Sequence, residues 1–444
     1  MRRLTVLALA ALAVPLAILP AQSGSAAPAP IGAYTVIPEL PGMGRPVDTA
    51  AAAARRRALL RRIGRGAVLI PAAHERNIEQ DYVQDNDFRQ DNTFYYFTEL
   101  ETQDAWLLMT ARGPDSLDTV LFLPPRTQSQ ERWTGLRLGP DSVAVRLSGI
   151  ATVLPIDSLD NRVRSARQPL YTPQGRGAAA RAPDVAPNSF NVTPIVDSLR
   201  VVKDADEISR LRRAVDISVA GHIAAMRAAR PGMYEYEIEA VLEDGFRRNG
   251  ADRVGYPSIV GSGPNSTTLH YDVNRRRTET GDLVLVDAAA EWGQYTADVT
   301  RTFPVNGKFT PRQKAIYDLV LGAQQAAFDS VRPGITLRQL DDIARRYMRE
   351  HSGTLCGERT CDDREHFFYH GLGHPIGMDV HDVGISRPLE PGMVITLEPG
   401  IYLQAEKLGV RIEDDVLVTA KGGEWLSAGA PRSTTAIERL MRER

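Results

Sequence analysis

The stretch Gly281-Asp282-Leu283-Val284-Leu285-Val286-Asp287 returns in altered form as Gly392-Met393-Val394-Ile395-Thr396-Leu397-Glu398. Each is a glycine, a short apolar run of strand length, and an acid six residues after the glycine. Upstream of each stand two helical patterns separated by the same stop, Arg230-Pro231-Gly232 in one half and Arg332-Pro333-Gly334 in the other. At least one histidine lies between the helices and the strand in each half, and a second acid follows each strand, Asp298 and Glu413. This reads as a duplicated α/β (α+β) unit whose halves are related by a pseudo-twofold axis, with the acids facing one another between them.

Working outward, Asp204 followed by Glu207 is a capping-box signature for a helix that Arg230-Pro231-Gly232 ends. A second helix runs from Glu235 to Asn249 and stops at Gly250. Thr310-Pro311 opens a third, with proline at its first position, and Leu337–His351 forms a fourth. Residues 172–196, with four prolines and two glycines, read as a linker between this unit (197–444) and a smaller α/β domain over 51–171. In the smaller domain, 50–63 reads as a helix stopped by Gly64, and 67–70, 105–110 and 119–123 read as strands.

The chain has 444 residues, is 43% hydrophobic and 24% charged, and carries a net charge of −2, so two globular domains are expected and a nucleic-acid partner is not. Met1-Arg2-Arg3, an apolar run from Leu4 to Leu19, and small residues to Ala27 describe a secretory signal peptide over 1–27. Cleavage would fall between Ala21 and Ala27, with an uncleaved anchor as the alternative; an extended arm follows over 28–50. After cleavage no stable membrane insertion is expected, and the protein is placed in the periplasm or outside the cell. In such a compartment the two cysteines, Cys356 and Cys361, are close enough in sequence to close a small loop; two reduced thiols are the other reading.

The acids carry the chemistry. A hairpin turning at Trp292-Gly293 would set Asp287 opposite Asp298, with Cβ atoms about 5 Å apart. A hairpin turning at Ala405-Glu406 would do the same for Glu398 and Glu413. Carboxylates so close repel unless a cation sits between them. Arg411 lies two residues before Glu413, on the same strand face, where a guanidinium can hold a ligating carboxylate. The segment His370–Asp382 holds His370, His374 and His381, three of eight histidines, among three glycines and a proline, and His270 stands at the matching place in the first half. Four carboxylates and one imidazole, Asp287, Asp298, His374, Glu398 and Glu413, suit two divalent ions about 3.5–4 Å apart, able to polarise a carbonyl and activate water. Oxygen-rich ligation fits Mn²⁺ best and accommodates Co²⁺ or Zn²⁺. The chain therefore reads as a dinuclear peptide hydrolase.

The segment His370–Asp382 resembles the signature of the pita-bread metallopeptidases, among them Xaa-Pro aminopeptidase (aminopeptidase P) and prolidase. So do Val286–Ala288, Thr296–Thr302, Thr396–Tyr402 and Arg411–Asp415. Phe88–Thr98 resembles the aminopeptidase P amino-terminal domain, except that Glu99 stands where family members place glycine. The resemblance implies a pita-bread catalytic domain and assigns roles. Asp287 binds one ion through both oxygens, Asp298 and Glu413 are shared by the two, and His374 and Glu398 complete the shell of the second. His381 and His270 meet the substrate carbonyl, His370 lines the proline side, and Arg411 orients a ligand. A hydroxide bridging the ions attacks, and Glu398 shuttles its proton. Peptides with proline second are the implied substrates, with a homo-oligomer compatible. Prolidase, acting on Xaa-Pro dipeptides, is the main alternative; methionine aminopeptidase and a non-catalytic binding relative are further ones.

Overall fold

In the computed structural model, residues 47–74, 88–113, 116–175, 177–384 and 386–443 are described. The expected signal peptide, and all but the end of the expected arm, lie outside them. Among the described residues no helix is long and apolar enough to cross a membrane.

The amino-terminal domain is a six-stranded mixed sheet. Its spatial order is 152–155, 116–123, 106–113, 66–71, 170–172, 190–191. The central pairs are antiparallel and the outer ones parallel. Helix Thr49–Ile63 covers it, capped by the Asp48 carboxylate on the Ala50 and Ala51 amides and ended by Gly64 at φ +71°. The stretch 172–196, expected as a linker, is folded instead over its described residues, 172–175 and 177–196. Ala178, Ala179 and Ala182 are buried, Phe190–Asn191 adds an edge strand to the sheet, and helix Thr193–Arg200 follows. Proline and glycine density marked turns here, not a free tether.

Glu99 takes the left-handed conformation (φ +54°) after helix Asn92–Thr98. This conformation costs a side chain about 1 kcal/mol relative to glycine. Here the buried carboxylate reaches Arg55 Nη1 at 3.0 Å and Arg210 Nη2 at 2.7 Å, which ties the turn to the carboxyl-terminal unit.

The carboxyl-terminal unit repeats as expected. Helices Ala205–Ala228 and Glu235–Arg248 precede the antiparallel sheet 259–262, 283–287, 300–304. Helices Pro311–Phe328 and Leu337–His351 precede the sheet 394–397, 414–419, 422–425 and the ribbon 400–403 with 408–411. The equivalent glycines share one backbone state: φ is +93° and +88° at Gly232 and Gly334, and +97° and +94° at Gly281 and Gly392. Leu283, Val284, Leu285 and Val286 are at most 2% exposed. Burying each contributes about 1.5–3 kcal/mol and fixes which strand end presents its acid. The two sheets meet where Thr300 bridges Glu413, one residue from each half.

The first hairpin differs in register. Asp287 pairs with Thr300, not Asp298, because the turn is Gly293-Gln294, with φ +60° and +65° and Trp292 opposite Tyr295. Two successive positive φ values match the sheet twist and make a tight two-residue connection. The slip is two residues, an even number, so Asp298 keeps the face of Asp287.

Candidate metal centre

All nine residues singled out from the sequence line one cavity of about 650 Å³: His270, Asp287, Asp298, His370, His374, His381, Glu398, Arg411 and Glu413. Ligand atoms of Asp298, His374 and Glu413 lie within 4.8 Å of one another, all three residues being buried. Asp287 and Glu398 flank this trio.

Each side chain is aimed by its element. Asp287 ends its strand; its Oδ2 accepts from Arg411 Nη2 at 2.5 Å and its Oδ1 from the Tyr256 hydroxyl at 2.7 Å. The same hydroxyl reaches Asp298 Oδ1 at 2.5 Å, so one donor spaces the two acids. The Asp298 backbone N–H donates to Asp415 Oδ2 at 3.1 Å. Glu413 Oε2 accepts from Thr300 Oγ1 at 2.7 Å, and its amide donates to the Thr300 carbonyl at 3.1 Å. Glu398 lies past the end of strand 394–397, its amide donating to the Leu372 carbonyl at 2.7 Å. The flanking ladders 400↔411 and 397↔414 keep the register that sets Glu398 against Glu413.

His374 stands on a glycine-rich segment laid against strand 394–397. Its amide donates to Thr396 Oγ1 at 3.1 Å, and its Nε2 is 3.4 Å from Asp298 Oδ2 and 3.6 Å from Glu398 Oε1. The close approach needs Gly373, where a Cβ would fall 2.1 Å from the Thr396 carbonyl oxygen. His370 is held between the Gly371 carbonyl and the Tyr402 hydroxyl, both at 2.8 Å. Tyr402 in turn accepts from Arg411 Nη1 at 2.9 Å. His381 and His270 are exposed at the rim, the His381 ring 4.0 Å from that of His374.

The electrostatics describe a site short of positive charge. Burial, then Asp298 and Asp287, push the Glu398 carboxyl up to about 8 against the pull of His374 and Arg411. Burial, then Asp298 and Glu398, push Glu413 well above the carboxylate range. Burial opposes charge on His374, but Asp298 and then Glu398 outweigh it and raise the imidazole to about 9. Burial and then Arg411 lower His370 to about 3, and burial and then His374 lower His381. Four carboxyls in this space cannot all ionise beside one guanidinium without further cations. The donor set, oxygen-rich with one imidazole, fits divalent ions.

Four residues escaped the sequence reading: Tyr256, Thr300, Tyr402 and Asp415. The last three lie inside or beside the blocks that carried the resemblance. Tyr256 sits in a turn whose neighbours give no periodic signal. Cys356 and Cys361, just upstream, stand at bonding distance, Sγ–Sγ 2.10 Å.

Comparison with known proteins agrees with this geometry. Residues 209–420 match the metallopeptidase family M24, and residues 52–171 match the aminopeptidase P amino-terminal domain. The Xaa-Pro aminopeptidase of Escherichia coli is 37% identical over 432 residues, covering 87% of this chain and 96% of that one. The structure of Escherichia coli aminopeptidase P with the inhibitor Pro-Leu superposes with a TM-score of 0.83 at 34% identity, covering 90% of this chain and all of that one. Its zinc-substituted form in complex with product gives 0.81, covering 90% and 99%. This chain, a pita-bread α/β fold with an aminopeptidase P amino-terminal domain, belongs to metallopeptidase family M24 and to its Xaa-Pro aminopeptidases.

Proposed function

We propose that this chain is an exported aminopeptidase that releases the first residue from peptides with proline second, working with two divalent ions. The observation that carries the reading is the convergence of Asp298, His374 and Glu413 within 4.8 Å, with Asp287 and Glu398 beside them in the same cavity. These five residues would hold the ions, and Mn²⁺ suits the oxygen-rich set best. When bound, such ions supply Lewis acidity toward a carbonyl and a water acidic enough to attack near neutral pH.

The chain's own groups do the rest. Arg411 and Tyr256 hold the two oxygens of Asp287, fixing its orientation. Glu398 takes a proton from the attacking water and delivers it to the proline nitrogen as that nitrogen leaves. His381 and His270, at the rim, donate to the scissile carbonyl as charge develops on its oxygen. His370, kept neutral, offers a ring surface to the proline. Proline lacks an N–H, so a pocket shaped for its ring has no acceptor to provide there; an Xaa-Ala bond would bring an unpaired donor and less packing. The signal-peptide pattern of residues 1–27 supports export, and a Cys356–Cys361 disulfide suits that compartment.

The test uses purified mature protein, chelated and then reloaded with Mn²⁺, Co²⁺ or Zn²⁺, on Xaa-Pro, Xaa-Pro-Yaa and Xaa-Ala-Yaa peptides. Metal-dependent cutting of Xaa-Pro-Yaa well above Xaa-Ala-Yaa is expected. Cutting of dipeptides alone would move the assignment to prolidase, and full activity without bound metal would end the two-ion reading.

A further inference from the structure

The segment Phe88–Asn92 belongs to the amino-terminal domain, yet its side chains hold two elements that lead into the cavity of the candidate metal ligands. Arg89 spans the gap. Its Nε donates to Glu291 Oε2 at 2.7 Å, and its Nη2 to the Met378 carbonyl at 2.8 Å. Its Nη1 donates to Asn92 Oδ1 at 2.9 Å, which orients that amide so that Asn92 Nδ2 reaches Asp379 Oδ1 at 2.7 Å. Asn92 Oδ1 also accepts from Gln294 Nε2 at 3.2 Å, and the same Gln294 nitrogen donates to the Gln90 carbonyl at 2.7 Å. One short segment thus grips the tip of the hairpin between Asp287 and Asp298, and also the turn that leads into His381.

Within the turn, the Gly377 amide donates to the Asp379 carbonyl at 3.1 Å and the Asp382 amide to the Pro375 carbonyl at 2.9 Å, and a few outside contacts hold it on the amino-terminal side of His381. Thr296 donates its amide to the Gly377 carbonyl at 3.0 Å, and Arg200 joins Asp379 at 2.8 Å. On the far side Asp382 is locked by Arg200 at 2.7 Å and Lys203 at 2.9 Å. Among the described residues no side chain is found hydrogen-bonded to the His381 ring, so its aim rests on the backbone of 378–382 and on the His374 ring 4.0 Å away. Glu291 is 3% exposed, and Arg253 Nη1 reaches its other oxygen at 2.6 Å. It is therefore a firm anchor for Arg89, because a buried carboxylate is held only where its partners are fixed.

We propose that Arg89 and Asn92 are positioning residues for His381: they fix the 378–382 turn so that the imidazole addresses the scissile carbonyl, which makes the amino-terminal domain part of the catalytic apparatus. This rests on the reading of His381 given above. A shift of about 1 Å in a group that meets the transition state can cost 10²-fold.

The experiment is a double-mutant cycle on the full mature chain, with kcat, KM, metal content and thermal midpoint recorded for each variant. Arg89→Ala and Asn92→Ala are each expected to lower kcat by up to about 100-fold, with KM and metal content near wild type. In a His381→Ala background the same substitutions are expected to change kcat by less than about twofold, since groups acting as one unit are not additive. If Arg89→Ala does not fold, Asn92→Ala carries the test alone, because it leaves the Arg89–Glu291 pair in place. Additive losses in the His381→Ala background would overturn the proposal while leaving His381 a catalytic group. Wild-type kcat for His381→Ala by itself would instead overturn the role of His381.

Discussion

Replacing Gly373 by alanine tests how the imidazole of His374 is placed. A Cβ at this position would lie 2.1 Å from the Thr396 carbonyl oxygen and 2.8 Å from its carbon, where ordinary contact begins at 3.4 Å. The shortfall at the oxygen, 3.4 less 2.1, is 1.3 Å. The obstacle is backbone of strand 394–397, with Val394, Ile395, Thr396 and Leu397 all buried, so it cannot yield as a side-chain tip would. The 372–374 segment must move instead, by about 1 Å. That breaks the 3.1 Å bond from the His374 amide to Thr396 Oγ1 and carries the ring away from Asp298. Overpacking of this kind costs about 1–3 kcal/mol, equivalent to a fall of about 2–12 °C in thermal midpoint for a domain of this size. The functional loss should be larger in proportion, about 100-fold in kcat, because reacting groups tolerate little displacement. Steady-state kinetics on Xaa-Pro-Yaa, elemental analysis and a thermal melt on the same preparation read all three. Gly373→Ala with wild-type kcat and full metal content would show that the segment has slack, and the argument from close approach would fail.

Two further outcomes follow from the site. Asp298→Ala and Glu413→Ala should each abolish turnover while leaving a folded protein. A chelator should no longer lower the thermal midpoint of either, since ions that bind only the folded state stabilise it by mass action; a variant that kept its chelator response would still hold its ions. The buried His222 gives a pH dependence. Its Nε2 lies 2.9 Å from the Ala288 carbonyl oxygen, and burial lowers its pKa from 6.5 to about 4. A depressed value means that the unfolded chain binds the proton more readily, so this stability is whole above pH 6.5 and is lost as pH falls toward 4. That drop corresponds to about 3 kcal/mol. Urea unfolding of chelated protein across this window should show the slope, and His222→Leu should flatten it; an unchanged slope would assign the acid sensitivity elsewhere.

Much of the site was legible because period-2 strands and glycine stops carry their own geometry. The hairpin centred on Ala405-Glu406 kept its expected register in both ladders, 401↔410 and 395↔416, even across Pro399. The first hairpin did not. Its turn uses Gln294 at φ +65°, a state that an isolated glutamine disfavours. Contacts from Gln294 to Gln90 and Asn92, about 200 residues earlier, accompany it, and no local pattern encodes those. Tyr256 was missed for a similar reason: its two acceptors lie 31 and 42 residues downstream. Glu99 shows the converse, a departure from the family pattern that two distant arginines accommodate.

The bond from Thr300 to Glu413 closes 113 residues of chain. Contacts that span so much sequence form late, because loop entropy must be overcome before they are rewarded. The acids of the two halves therefore stay apart during early collapse, when their mutual repulsion would hinder it, and they meet only when both sheets have formed. A metal-binding set drawn from both halves is then a property of the finished fold: Asp298, His374 and Glu413 can converge only once both sheets have built the cavity.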